Sequence, residues 1–200
     1  MLDAYLRPLI DPPLNRMGQK CARAGINANS VTVVGFAFGM GAAVAIASGA
    51  WLLGFVLIAM NRFADGLDGA VARATKKTDL GGYLDITLDF FFYGAIPLAF
   101  AIQAPDANAL PAAVLLCSFY ANGSAFLAFA IMAERRCLST SRQGKKSLYY
   151  LGGLAEGTET ILLFLLMALF PTWFPLLAWG FALVCFVSAT ARLLIGVKSL

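Results

Sequence analysis

Six apolar stretches, spread along the whole chain and most of them near the length that crosses a bilayer, decide what this sequence can fold into. They fall near residues 31–48, 50–64, 83–104, 109–133, 160–170 and 173–195, where roughly 20 helical residues are needed to traverse the hydrocarbon core. Two are short: the second must continue through a charged segment to about Arg73, and the fifth must begin upstream near Gly153. Lipid offers no partner to backbone amides and carbonyls, so such segments must be helices that turn their polar side chains toward protein or a water-filled cavity. A composition that is 60% hydrophobic and 13% charged agrees, because it leaves too little polar surface to cover a soluble domain. The expected fold is all-α and integral to the membrane, with a cytoplasmic or interfacial segment over 1–30 and a six-span domain over 31–200.

Lysine and arginine set the expected orientation. Arg73, Lys76 and Lys77 lie in one connection, Arg135, Arg136, Arg142, Lys145 and Lys146 in another, and Arg192 and Lys198 near the end. The alternate connections, around Gly49, Asp106 and Pro171, carry none. Both termini are therefore expected on the cytoplasmic side. The net charge of +4 reads as topology and attraction to anionic lipid, and binding to nucleic acid has no further support. Ahead of the first span, Leu2, Leu6, Leu9 and Ile10 share one helical face with Arg7 and Arg16 elsewhere, which predicts an interfacial amphipathic helix interrupted at Pro12-Pro13. The segment lacks the apolar core and small-residue cleavage site of a signal peptide.

The chain has no histidine, and its four cysteines form no CxxC pair. Zinc sites, disulfide scaffolds and histidine-activated nucleophiles are thereby set aside, and acid–base chemistry falls to carboxylates. Four of these occupy membrane depth. Asp65 and Asp68 are three residues apart and Asp85 and Asp89 four apart, so each pair projects from one face of its helix. If one helix ends near Ala74 and the next starts near Gly81, a rise of 1.5 Å per residue puts Asp65 and Asp89 at a similar depth of roughly 12 to 14 Å.

An ionised Asp near the bilayer centre costs about 2.5 to 3.5 kcal/mol, and four that repel one another cost more, so positive charge must offset them. An all-carboxylate set is a hard-oxygen site suited to Mg²⁺, Mn²⁺ or Ca²⁺. Two ions there would bridge a diphosphate and leave one carboxylate to deprotonate an attacking alcohol. Gly66, Gly69, Gly81 and Gly82 leave room for a nucleotide or a neighbouring helix, and Arg73, one turn past Gly69, is placed to reach a phosphate. Two competing readings are a structural ion-pair network with Arg62, Arg73, Lys76 and Lys77, and a cation pathway, for which the outer halves of the spans offer no second acidic layer.

The run from Asp65 to Arg73, followed after seven residues by Gly81 to Asp89, resembles the signature of the CDP-alcohol phosphotransferases: Asp-x-x-Asp-Gly-x-x-Ala-Arg, then Gly-x-x-x-Asp-x-x-x-Asp. Every defined position is present. Asn29-Ser-Val-Thr32 is similar to the family's Pro-Asn-x-x-Thr entry to the first span, with Ala28 in place of the proline. The resemblance implies that Asp65, Asp68 and Asp85 are metal ligands for Mg²⁺ or Mn²⁺, that Asp89 contributes to the metal site and acts as base, and that Asp68, Gly69, Ala72, Arg73 and Gly81 bind the CDP group. It also implies a homodimer in a bacterial inner membrane, with a cytoplasmic active site that transfers a phosphatidyl-type group from a CDP-lipid such as CDP-diacylglycerol to a small alcohol, releasing CMP. A pseudo-enzyme acting as an assembly partner would keep the fold without this activity.

Glycerol 3-phosphate is the leading acceptor, ahead of serine, inositol phosphate or another alcohol. Arg135, Arg136, Lys145 and Lys146 form a basic stretch able to hold a phosphorylated acceptor, or to serve only as topology determinants. Glu156 and Glu159, three apart near the start of the fifth span, either complement the helix dipole or contact a cationic or polyhydroxyl acceptor.

Overall fold

The computed structural model describes residues 3–135 and 157–199, with side chains from Ile10 onward. Among the described residues there are seven α-helices and no strand: α1 (Asp3–Arg23), α2 (Ala28–Ala47), α3 (Trp51–Ala74), α4 (Asp79–Gln103), α5 (Pro105–Arg135), α6 (Gly157–Leu169) and α7 (Phe174–Ser199). A 3₁₀ turn, Pro171–Trp173, joins the last two. Local chemistry sets several boundaries. The Asn27 side chain accepts the Asn29 amide at 3.1 Å and caps α2, and Thr78 accepts the Gly81 amide at 3.0 Å and caps α4. Between α2 and α3 the backbone at Gly49 adopts a φ of 78°, where a side chain would be strained.

The protein is an all-helical membrane protein in which α2, α4, α5 and the segment Pro171–Ser199 are long and apolar enough to cross a bilayer. The two remaining expected spans are helices that fall outside that group. α3 runs unbroken to Ala74 but carries Arg62, Asp65, Asp68 and Arg73, which keeps it outside that group. α6 has 13 residues from Gly157, and the upstream start expected near Gly153 lies outside the described residues.

One local expectation is corrected. The first helix does not stop at Pro12-Pro13 but continues through both to Arg23. Consecutive prolines remove two amide donors, and packing beyond them holds the helix: Leu14 is buried, and a Cβ at Gly18 would lie 2.6 Å from the Ala70 carbonyl carbon of α3. Leu2 lies outside the described residues, and the side chains of Leu6, Arg7 and Leu9 are likewise undescribed.

α2 lies at the centre of the site-bearing half, packed on both α3 and α4. It can do so because it is small on the faces that matter. A Cβ at Gly35 would sit 2.9 Å from Ala64 Cβ, and one at Gly39 would sit 2.7 Å from the Phe92 ring. Lipid tails are as apolar as leucine, so helices associate in a membrane through close packing, which small residues permit. At the end of the bundle remote from the aspartates, Phe100 stacks on Trp51 at 5.6 Å and on Phe174 at 4.4 Å, tying α3, α4 and α7 together.

The α2–α3 seam gives a direct test, because a Cβ at Gly54 would meet Ile46 Cγ1 at 2.6 Å while one at Gly180 meets nothing within 4 Å. Gly54→Val is expected to cost about 1 to 3 kcal/mol through overpacking, seen as a lower unfolding temperature in detergent. Gly180→Ala should leave that temperature unchanged or higher; equal behaviour of the two variants would count against the seam.

Candidate active site

The site forms where α3 and α4 bring their aspartates together over α2. Asp65 and Asp68 face the cleft from α3 because they are one helical turn apart, and Asp85 faces it from the second turn of α4. Each of the three offers a carboxylate oxygen, and these oxygens all lie within 4.8 Å of one another. Asp68 is buried. Thr32 reaches across from α2, its hydroxyl donating to Asp68 Oδ2 at 2.6 Å. Arg62, one turn before Asp65, forms an ion pair with it. Asn61, also buried, donates from Nδ2 to the Gly35 carbonyl at 2.9 Å and ties this wall of the site to α2.

Asp89 stands slightly apart. It is not one of the converging three, yet it lines the same small pocket together with Thr32, Asn61, Asp65, Asp68 and Asp85. From its other side Tyr93, one turn along α4, directs its hydroxyl at Asp89 Oδ2 over 3.5 Å. The pocket is small, about 10 Å³. The carboxylate oxygens of Asp65, Asp68, Asp85 and Asp89 on its wall are the donor set that a hard divalent cation such as Mg²⁺ or Mn²⁺ takes.

The motif glycines lie at the mouth of the cleft. A Cβ at Gly69 would come 3.3 Å from Arg73 Nη1, and one at Gly81 would come 3.1 Å from both Asn29 Oδ1 and Thr78 Oγ1. Ala72 is half-buried and Arg73 exposed. Arg73 does not join the carboxylates: its Nε and Nη2 donate to Asn15 Oδ1 of α1 at 3.1 and 2.9 Å. Of the expected acceptor residues, Arg135 is exposed at the end of α5, and Glu159 sits in the first turn of α6 with its Oε2 buried. Arg136, Lys145, Lys146 and Glu156 lie outside the described residues.

A larger cavity of about 520 Å³ opens on the far side of Tyr93, between α4, α5, α6 and α7. Phe90, Tyr93, Phe119, Tyr120 and Phe126 put aromatic rings on its wall, which also includes Asn122, Thr160 and Arg192. The Arg192 guanidinium stands 5.1 Å from the Phe126 ring centroid. The sequence offered a signal for Arg192, a cation late in an apolar span, but that feature equally marks topology. Thr32 stood within a recognised stretch without a role attached, and Tyr93 and Asn15 carried no signal.

Residues 26–191 match the model of the CDP-alcohol phosphatidyltransferase family. The chain belongs to this family, and is therefore a transferase of phospholipid biosynthesis that uses CDP-lipid and alcohol substrates in a membrane and belongs to a generally divalent-metal-dependent group. It is 46% identical over its whole length to the inner membrane protein YnjF of Escherichia coli, of which it covers 97%. Over 85 residues, 42% of the chain and 45% of the relative, it is 39% identical to an archaetidylinositol phosphate synthase of Pyrococcus horikoshii. A phosphatidylinositol phosphate synthase of Streptomyces avermitilis is 33% identical over 122 residues, 58% of this chain and 50% of that protein.

Thr32 supplies a test of the cluster that the motif alone would not suggest. Removing the hydroxyl in Thr32→Val takes a side-chain donor from Asp68 and should weaken Mn²⁺ binding by about tenfold, read by electron paramagnetic resonance titration. An unchanged affinity would mean that this hydrogen bond does not orient Asp68 toward a metal.

Proposed function

We propose that the protein transfers a phosphatidyl group from CDP-diacylglycerol to a phosphorylated polyol on the cytoplasmic face of a bacterial inner membrane. The observation that carries this reading is the convergence of Asp65, Asp68 and Asp85 oxygens within 4.8 Å, with Asp89 on the wall of the same pocket. In this reading Asp65, Asp68, Asp85 and Asp89 hold two Mg²⁺ or Mn²⁺ ions, while Asp68, Gly69, Ala72, Arg73 and Gly81 seat the CDP group. When bound, the ions supply Lewis acidity and neutralise the charge that develops on the diphosphate. Thr32 orients Asp68, and the absence of side chains at Gly69 and Gly81 lets the nucleotide approach the backbone. Asp89 accepts the proton of the acceptor hydroxyl as its oxygen bonds to the β-phosphorus, and the phosphoanhydride bond breaks with its electron pair leaving on CMP.

The acceptor's place is the cavity beyond Tyr93, because Tyr93 lines it and directs its hydroxyl at Asp89. Arg192 there suits a phosphate, and Asn122 and Thr160 suit hydroxyls. Glycerol 3-phosphate has this chemistry, and so does an inositol phosphate. The relatives named as synthases of inositol-phosphate lipids weigh toward the second. Around the site we place six spans formed by α2 to α7 over residues 31–200, both termini in the cytoplasm, α1 at the interface within 1–30, and a homodimer built through the spanning helices.

The test is CMP release by the purified protein from CDP-diacylglycerol with Mn²⁺, with glycerol 3-phosphate, inositol phosphate and serine supplied separately. Release should depend on one phosphorylated alcohol. Asp89→Asn should abolish transfer and keep CDP-lipid binding, whereas Asp65→Asn should lose metal as well; equal loss of binding in both would refute the division of roles. Release with serine alone would refute the phosphorylated acceptor.

A further inference from the structure

We propose that Asn15 is a positioning residue that holds Arg73 in the orientation the CDP-lipid needs, so that α1 is a working part of the donor site. The proposal rests on the donor-site reading of Arg73 given above. Asn15 Oδ1 accepts from both Nε and Nη2 of Arg73, at 3.1 and 2.9 Å, and so takes one edge of the guanidinium. The opposite end, Nη1, lies over Gly69, where a Cβ would stand 3.3 Å from it. Two of the five guanidinium N–H donors are thus spent on the anchor, and the Nη1 pair is presented at the glycine where a diphosphate would lie.

The register of α1 is what brings Asn15 to this place. Leu14 packs over Gly66, within 2.9 Å of a Cβ built there, and Gly18 sits against the Ala70 backbone, so the helix cannot slide along α3 without a clash. Asn15 lies between these two contacts. Arg73 is itself exposed, and an unanchored arginine at such a position would sample many rotamers. Binding a phosphate would then carry the ordering cost of that side chain, which the asparagine removes beforehand. The effect belongs to binding of the donor more than to the chemical step.

The experiment measures KM and kcat for CDP-diacylglycerol, and the affinity for CMP by calorimetry, in Asn15→Leu, Asn15→Asp, Arg73→Ala and Asn15→Leu with Arg73→Ala. Asn15→Leu is expected to raise the donor KM and weaken CMP about fivefold while kcat stays within about twofold. Asn15→Asp, which keeps the accepting oxygen, should restore both. In the Arg73→Ala background, Asn15→Leu should add nothing further. A lower unfolding temperature for Asn15→Leu with unchanged KM and CMP affinity would overturn the proposal and leave Asn15 as a helix anchor. A further rise in KM on top of Arg73→Ala would overturn it too, since the asparagine would then act without the arginine. If Arg73→Ala alone leaves KM unchanged, the donor-site reading of Arg73 fails, and this proposal with it.

Discussion

Mutual repulsion among carboxylates held at membrane depth is the constraint on which the rest of the structure depends. Three acidic oxygens within 4.8 Å of one another, with a fourth carboxylate on the same pocket, would drive two helices apart unless the scaffold opposes them. The scaffold answers in three ways. Arg62 pairs with Asp65, Thr32 donates to Asp68, and α2 grips α3 and α4 at once. Each answer leaves the cluster acidic overall, because a single arginine does not balance four aspartates. The residual negative charge would attract a divalent cation, so the fold and the proposed cofactor are two sides of one electrostatic problem.

Why α2 rather than direct α3–α4 packing should carry this load follows from the residues. A helix pair that shares a metal cleft cannot also interdigitate its side chains there. The third helix supplies the closeness instead, with Gly35 against Ala64 and Gly39 against Phe92. Asn61 then joins α3 to the α2 backbone by a buried hydrogen bond, which in lipid has no water to compete with it. Farther along, the Trp51–Phe100–Phe174 stack closes the opposite end of the bundle. The aromatic stack thus clamps the end of the bundle remote from the aspartates.

What the sequence made legible, and what it did not, divides by distance along the chain. Helices α3 and α4 end and begin within two residues of the expected Ala74 and Gly81, since apolar periodicity and the Thr78 cap are local signals. The convergence of Asp65, Asp68 and Asp85 was legible because spacings of three and four residues on two consecutive helices leave little freedom. The Thr32–Asp68 bond joins residues 36 apart and the Asn15–Arg73 bond residues 58 apart, and nothing in local spacing encodes such pairs. Pro12-Pro13 misled for a related reason: proline's local penalty was visible, whereas the packing of Leu14 and Gly18 on α3 that offsets it was not.

The position of Tyr93 separates the two halves of the proposed chemistry. It lines the aromatic cavity and at the same time faces Asp89 with its hydroxyl. Its ring packs at 6.2 Å from Phe164 and 6.5 Å from Phe119, so the hydroxyl is delivered by a side chain that three helices hold. Tyr93 thus links the wall of that cavity to Asp89. On the proposed reading, a base there would face the incoming hydroxyl from the wall of the pocket that would hold the ions. The separation of Asp89 from the other three is a consequence of the four-residue step from Asp85 along α4.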